Sequence, residues 1–324
     1  MRRRIRRFLW LSAVCLTWTA ACDTGSDSSG VTDEEDVSAA GPAIGGGVGD
    51  AGTGVALDVA SAPADDVATS GPPVTGMVAA APNPYSGGTC PQLSAGLQTF
   101  QAAGTAREVD LKLPAEPSGA PVVFMWHGLG DTIANFSNAM GAGGLTTGLG
   151  AIVVTPAVLP GGLMALWGFP SALGDDSATD LGLFDDLLYC LDQQFDIDNE
   201  RVYSVGFSGG ALWTSYLLMQ RSEYLAAALV FSGGVNAAGG QGLIFDYETP
   251  LHPLPVMLAH GGATDVYNMV VAQLEFQKMV ELMADSLVAD GHFAVLCDHG
   301  AGHTITSPLL TAGYSFLQNH AYAD

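Results

Sequence analysis

The pentapeptide Gly206-Phe207-Ser208-Gly209-Gly210 is the part of the sequence whose residue types and spacing most clearly suit catalysis. It follows an apolar run that predicts a strand and opens a run that predicts a helix, which is the setting of a nucleophile elbow. Glycine at 206 and 210 lets backbone approach backbone in this sharp turn, where a Cβ atom would clash. The motif therefore predicts that Ser208 is a nucleophile held above a sheet, rather than part of a plain glycine-rich turn.

A serine hydroxyl needs a base before it can attack. The chain has seven histidines, and in this kind of site the base follows the last strand of the sheet. His299 and His303 both lie there, and we expect His303 to be the base because a flexible Gly300-Ala301-Gly302 precedes it; His299 is the alternative. A metal site built on Cys297 and these histidines is not expected, because no second cluster would complete the ligands.

An acid must orient the imidazole and stabilise its protonated form. It should lie between Ser208 and the base, on a loop after a later strand. Asp265 follows the predicted strand 255–259 and is therefore the expected acid, with Asp246 and Asp298 as rivals. An N-cap role for Asp265 at a following helix is the structural alternative.

Negative charge develops on the carbonyl oxygen during attack, so two backbone N–H donors are needed. We expect one from Gly209, directly after the nucleophile, and one from Leu129, in the loop after an early strand, with Gly128 as the near alternative. His127 in that loop is interpreted as a structural anchor rather than as a second base.

Three aromatic residues are candidates for contact with a substrate. Trp167 and Phe169 lie in a segment, 160–179, that we expect to form the rim of a pocket, and Trp126 ends an early strand. We expect these side chains to supply an apolar wall for an acyl group or a ring, although anchoring a loop is an equally plain role for them.

These motifs together resemble the exported esterases related to polyhydroxybutyrate depolymerases and feruloyl esterases, over about residues 90–320. The matching segments are 127–130, 201–210, 260–265 and 302–304. The resemblance implies ester hydrolysis through an acyl-enzyme, with Ser208, Asp265 and His303 as the triad and no cofactor. Two departures are that the segment 260–265 is one residue longer than usual, and that Thr304 stands where the family often has Trp-Pro.

Short apolar runs alternate with helical patterns along the second part of the chain. This alternation predicts an α/β-hydrolase fold, with a mostly parallel central sheet and helices on both faces, over a catalytic domain at 85–324. Strands are predicted at 98–103, 107–113, 121–126, 151–156, 201–205, 226–231, 255–259 and 293–296, and helices at 181–195, 211–220, 269–288 and 309–319.

The first 84 residues predict export and tethering. Residues 1–22 combine five arginines, a short apolar run and small residues, which is typical of a signal peptide. Ala20-Ala21-Cys22 resembles a lipobox, so Cys22 is the expected site of a lipid anchor on a membrane surface, although ordinary cleavage nearby is the alternative. Residues 23–84 are rich in Gly, Ala, Ser, Pro and acids, which predicts a disordered linker.

The net charge of the chain restricts the classes of molecule that it can bind. The formal net charge is −23, and removal of the signal makes the chain more acidic still, which excludes a nucleic-acid partner. The remaining cations, Arg107, Lys112, Arg201, Arg221 and Lys278, lie outside the expected site. The sequence therefore favours neutral esters, either of polyhydroxybutyrate type or feruloyl or acetyl esters, and does not decide between them. A peptidase on the same fold and a surface binding protein with little activity are the alternatives.

Three cysteines remain after Cys15 and Cys22 are set aside, and export permits a disulfide among them. Cys90 precedes the first strand and Cys190 lies on the helix 181–195, so both should lie toward the same half of the sheet. Cys297 ends the last strand at the opposite edge. We expect Cys90 and Cys190 to pair and Cys297 to be free, because a disulfide requires close Cα atoms.

Overall fold

The computed structural model describes residues 77–159, 166–237, 243–268 and 273–322. The predicted signal, Cys22 and the linker up to residue 76 lie outside these ranges. Residues 77–84, which the sequence assigned to the linker, pack on the domain: the N–H of Ala79 donates to Glu200 Oε1 (3.0 Å) and that of Ala80 donates to the Glu223 carbonyl (2.9 Å). The packed part thus begins by Met77 rather than at Tyr85. No helix in the described part is long and apolar enough to cross a membrane.

The described residues form one large sheet and one small one. The strands are β1 (Gly96–Ala102), β2 (Thr105–Lys112), β3 (Val122–Trp126), β4 (Ile152–Pro156), β5 (Val202–Phe207), β6 (Ala227–Phe231), β7 (Val256–His260), β8 (Val266–Asn268), β9 (Gln273–Glu275) and β10 (Ala294–Asp298). Eight of them form a sheet in the order β1-β2-β4-β3-β5-β6-β7-β10. β2 is antiparallel to both of its neighbours, and the strands from β4 to β10 in this order are parallel.

Every residue of β3 is buried, which explains why its sequence is a continuous apolar run rather than an alternating one. Phe124 joins the hydrophobic core on one face of the sheet, and its neighbour Met125 joins the core on the other. Successive side chains of a strand point to opposite faces, so a strand buried throughout must be covered on both sides.

Helices provide that cover. The described helices are α1 (Ile133–Ala139), α2 (Ala142–Gly148), α3 (Ser177–Phe195), α4 (Gly209–Gln220), α5 (Phe276–Ala289) and α6 (Ser307–Gln318). Side chains of α3, α4 and α5 pack into the core on the Phe124 face, whereas those of α1, α2 and α6 pack into the core on the Met125 face. The predicted mostly parallel sheet with helices on both faces is confirmed.

Two parts of the fold differ from the prediction. The helix expected at 269–288 begins only at Phe276, because Gln273–Glu275 pairs with Val266–Asn268 to form the antiparallel β8–β9 hairpin. Helices α1 and α2 were not predicted: three of the seven residues of α2 are glycine, which hides its helical pattern.

The predicted Cys90–Cys190 disulfide is present, with a Cα–Cα distance of 5.5 Å. It ties the segment before β1 to α3, across a sequence separation of 100 residues. Cys297 is not without a partner either, so the expectation of a free thiol there is wrong.

Candidate active site

Ser208 lies at the turn between β5 and α4, as the elbow motif predicts. Its backbone has φ 56° and ψ −122°, a conformation that a non-glycine residue rarely adopts. The glycines beside it make the turn possible: a Cβ on Gly206 would lie 2.1 Å from the Gly210 carbonyl oxygen, and one on Gly210 would lie 1.8 Å from that of Trp126. The N–H of Ser208 donates to the carbonyl of Phe231 in β6 (3.0 Å), which ties the strained residue to the neighbouring strand.

Three side chains from three separate loops form one hydrogen-bonded chain. His303 Nε2 lies 2.9 Å from Ser208 Oγ, and His303 Nδ1 lies 2.6 Å from Asp265 Oδ1. A carboxylate only accepts hydrogen bonds, so it keeps the ring proton on Nδ1 and leaves Nε2 free to accept from the serine hydroxyl. The structure thus brings together the three residues that the sequence proposed as nucleophile, base and acid.

The carboxylate of Asp265 is fully buried and has three hydrogen-bond donors. Besides His303, Ser232 Oγ (2.7 Å) and the N–H of Gly261 (2.8 Å) donate to its Oδ2. Burial by itself raises the pKa of Asp265, but the bonds from His303, Gly261 and Ser232 outweigh it and hold the pKa below its ordinary value. Asp265 is therefore ionised at neutral pH, as its expected role requires.

Ser232 was missed by the sequence analysis. It directly follows β6 with φ 56°, and its N–H donates to the Ala259 carbonyl in β7 (2.8 Å). The sequence did contain a signal for this residue. Ser232 and the glycines after it stand at the carboxyl end of β6, which lies between the strand that leads to Ser208 and the strand that leads to Asp265.

The alternative residues for acid and base lie outside the hydrogen-bonded chain. Asp246 accepts from Asn236 Nδ2 (2.8 Å), and Asp298 accepts from the N–H of Gly300 (2.9 Å). His299 is buried, and its Nδ1 accepts from the N–H of Ala301 (3.3 Å). Burial lowers the pKa of His299, although the negative charges of Asp265 and Asp298 oppose this.

The imidazole of His303 is held between two aromatic rings. The ring of Phe207 lies 4.8 Å from it, between centroids, at an interplanar angle of 29°, and that of Phe276 lies 4.7 Å from it at 11°. The two phenylalanines come from the elbow and from the start of α5. This arrangement restricts rotation of the ring. Neither contact follows from local sequence.

The two expected N–H donors lie side by side. A Cβ built on Gly209 would lie 3.4 Å from the backbone nitrogen of Leu129, and one on Gly128 would lie 3.3 Å from Ser208 Cβ. Among the described residues, no acceptor takes a hydrogen bond from the N–H of Leu129 or Gly209. Two N–H donors without a protein acceptor, beside a serine hydroxyl, are suited to a developing oxyanion.

An apolar pocket opens beside Ser208, with a cavity volume of about 110 Å³. The described residues that line it carry no charge, and most are aliphatic or aromatic: Leu129, Leu166, Phe169, Ser171, Ala172, Leu173, Ser208, Gly209, Leu212, Leu243, Ile244, Tyr267, Leu274 and Phe276. Of the three aromatic residues predicted to contact a substrate, Phe169 is in this lining.

The other two predicted substrate contacts, Trp126 and Trp167, are corrected by the structure. Both are buried away from the pocket lining, where they pack together at 5.0 Å between ring centroids. The indole N–H of Trp126 donates to Ser204 Oγ (2.9 Å), and that of Trp167 donates to the carbonyl of His127 (2.9 Å). They support the loop at 127–130, here called the Leu129 loop, from within the core.

His127 has the anchoring position that the sequence suggested. It is buried, and its Nδ1 lies 2.9 Å from the Gly128 carbonyl. Burial lowers the pKa of His127 and outweighs this carbonyl and the charge of Asp131, which raise it. The ring is therefore neutral at pH 7. Among the described residues, no group of histidine, cysteine, aspartate and glutamate side chains is arranged to hold a metal ion.

Positive charge is absent from the described pocket lining. Arg107 is buried and pairs with Asp180 (2.6 Å), and Arg221 pairs with Asp185 (2.8 Å). Lys112, Arg201 and Lys278 likewise lie within ion-pair distance of carboxylates.

Comparisons with known proteins show which solved structures have a similar fold. No protein-family model and no curated protein matches the sequence. A solved complex of a pOPH variant with DMSO has a TM-score of 0.62 at 19% identity, covering 73% of this chain and 90% of that one. Native sOPH has a TM-score of 0.55 at 18% identity, covering 66% and 84%. A thermostable esterase has a TM-score of 0.50 at 17% identity, covering 69% and 62%.

At such identities the likeness concerns the fold alone. Their TM-scores indicate that they share this chain's architecture, a mostly parallel sheet with helices on both faces. The chain has the α/β-hydrolase fold.

Proposed function

We propose that this protein is a serine carboxylic-ester hydrolase that acts on neutral esters through an acyl-enzyme. The observation that carries the proposal is the hydrogen-bonded chain from Ser208 through His303 to Asp265, beside the N–H groups of Leu129 and Gly209. Two solved structures of similar fold support the choice of substrate class, since one is described as a thermostable esterase and another as a pOPH variant complex of pNPB.

The geometry permits a complete reaction. His303 Nε2 takes the proton as Ser208 Oγ attacks the ester carbonyl, and the N–H groups of Leu129 and Gly209 donate to the resulting oxyanion. Asp265 stabilises the imidazolium that forms. His303 then gives its proton to the leaving alcohol, and an acyl-enzyme remains on Ser208. Water attacks this ester with His303 again as base, which releases the acid and restores the serine.

The substrate is proposed to be uncharged, because the described lining carries no charge that could pair with an ionised group. Esters of the polyhydroxybutyrate type and small acyl esters fit this description. The sequence alternatives, a peptidase and a weakly active surface binding protein, have no observation in their favour.

The test is hydrolysis of p-nitrophenyl butyrate by the mature chain. Ser208→Ala should lower kcat/KM by about 10³-fold or more while leaving the circular dichroism spectrum unchanged, since the nucleophile is lost. Ser94→Ala, at an exposed serine far from the site, is the matched control and should keep wild-type activity. A fluorophosphonate should label the wild type at Ser208. Ser208→Ala activity within about tenfold of wild type would contradict the proposal.

We also propose that the protein is exported and held at a membrane surface by a lipid on Cys22. The lipobox-like Ala20-Ala21-Cys22 supports this proposal, together with the acidic linker after it. The native protein should enter the detergent phase of Triton X-114, and Cys22→Ser should move it to the aqueous phase. Wild-type protein found only in the aqueous phase would refute the anchor.

A further inference from the structure

The β8–β9 hairpin is joined to the active site at both of its ends. β8 starts at the residue after Asp265, and β9 ends at the residue before Phe276, whose ring stacks on His303. The N–H of Phe276 donates to the Asp265 carbonyl (3.0 Å), which closes the base of the hairpin. The hairpin therefore has a fixed position relative to the acid and the base.

The two faces of the hairpin differ in character. Its central cross-strand pair, Tyr267 and Leu274, lines the pocket. The outer pair of Asn268 and Gln273 must point the other way, because side chains alternate along a strand, and these two exposed residues hydrogen-bond to each other at 2.7 Å. The hairpin thus presents an apolar face to the pocket and a polar face to solvent.

The pocket that this hairpin helps to enclose is small. Its volume of about 110 Å³ is below the roughly 300–1,000 Å³ typical of sites for drug-sized ligands. Two aliphatic residues from elsewhere in the fold are in the same lining: Leu212 from α4 and Ile244 from the segment after β6. A group that fills this space must be short, apolar and uncharged.

We propose that the β8–β9 hairpin selects the acyl group of the substrate, and that it limits the enzyme to esters of short aliphatic acids. The inference rests on the proposed ester hydrolysis and names the substrate class of that site. The acyl group is attached to Ser208 in the acyl-enzyme, and Ser208 and Gly209 are part of the same lining as Tyr267 and Leu274. A longer chain would collide with the central pair of the hairpin.

The experiment measures kcat/KM of the mature chain for p-nitrophenyl acetate, butyrate and octanoate. The wild type should prefer butyrate to octanoate. Leu274→Ala should raise the octanoate-to-butyrate ratio by at least about tenfold, because it lengthens the space for the chain. Leu274→Trp should lower the butyrate-to-acetate ratio by a similar factor. Gln273→Ala, on the solvent face of the same strand, is the matched control and should leave both ratios at their wild-type values.

Circular dichroism checks that each variant folds. If Leu274→Ala does not fold, Leu274→Val, which removes less of the side chain, takes its place. Wild-type ratios in the Leu274 variants would overturn the role of the hairpin while leaving ester hydrolysis in place. A wild-type preference for methyl ferulate, or a response of the variants to the length of the alcohol and not of the acid, would overturn the substrate class. Absence of hydrolysis of every ester by the wild type would overturn the proposed function itself.

Discussion

Two groups of apolar side chains lie close to the active site and differ in what they contact. The tryptophan cluster, Trp126, Trp167 and Trp213, is buried, with ring centroids between 5.0 and 6.4 Å apart. The pocket wall, represented by Phe169, Leu212 and Leu274, faces the cavity beside Ser208. Large aromatic residues near a catalytic motif can therefore belong to the scaffold, while side chains from separate loops, helices and strands form the surface that a substrate would touch.

The polar atoms of the indole rings explain part of this division. Within a core, an indole N–H usually has an acceptor: those of Trp126 and Trp167 donate to Ser204 Oγ and the His127 carbonyl, whereas that of Trp213 has none among the described residues. The second of these bonds reaches the Leu129 loop, so the tryptophan cluster helps to position an expected N–H donor. Aliphatic side chains need no such partner, and they suit a pocket that must exchange water for an apolar acyl group.

The largest expected difference between the two groups is in stability. Trp126→Ala should lower the free energy of unfolding by about 3–5 kcal/mol, because it removes a fully buried side chain and leaves a cavity. Leu173→Ala, at a half-exposed leucine in the pocket lining, should cost about 0.5 kcal/mol or less. Urea denaturation measures both. Equal losses of unfolding free energy in the two variants would contradict the distinction between the tryptophan cluster and the pocket wall.

Catalysis should separate the groups in a second way. Trp167→Phe keeps an aromatic ring but removes the hydrogen bond to the His127 carbonyl, so the Leu129 loop should be positioned less well. We expect kcat to fall roughly tenfold with KM little changed, since a displaced donor acts on the transition state.

Phe169→Leu in the pocket wall should instead act mainly on KM, and steady-state kinetics with p-nitrophenyl butyrate distinguish the two patterns. A change in KM alone for Trp167→Phe would mean that this residue contacts substrate after all.

The uncharged pocket wall predicts discrimination against anionic substrates. A neutral butyrate ester should exceed the hemisuccinate ester of the same alcohol in kcat/KM by up to about tenfold at low salt, because the acidic protein repels the anion. The difference in kcat/KM between the two esters should become smaller at about 0.1 M salt, where the screening length is about 10 Å. Equal rates at low salt would show that the field of the protein does not reach the pocket.

The smallest effect concerns His127, which lies beside the tryptophan cluster at 5.3 Å from the Trp167 ring. Burial lowers its pKa in the folded state. As pH falls below 6.5, the ordinary value, the unfolded chain takes up a proton that the folded chain does not, so stability is lost.

His127→Gln lacks this proton uptake. The stability advantage of the wild type over the variant should therefore shrink between about pH 7.5 and about pH 5.5. Urea denaturation at the two pH values measures the difference, and the comparison cancels the titration of the many surface carboxylates. A constant or growing advantage at the lower pH would mean that His127 is protonated in the folded protein.

Much of the fold could be predicted because its signals are local. Each strand predicted for the main sheet is present within a few residues, since continuous apolar runs are what a doubly covered sheet requires. β9 was predicted as part of a helix and β8 was not predicted, because strands of three residues are too short to show an alternating pattern. The glycines of α2 concealed that helix for a different reason, their low helix propensity.

The sequence by itself determined the elbow at Ser208, the order of strands and helices, and the loops on which the other site residues lie. Tertiary structure decided which of two histidines and three aspartates complete the hydrogen-bonded chain, because these residues are far apart in sequence and meet only at the edge of the sheet. It also decided that Trp126 faces the core whereas Leu274 faces the pocket. The physical reason is that the sequence pattern of an apolar residue is the same whether its side chain faces the core or a pocket. Only the packing of distant elements determines whether protein or a cavity lies against it.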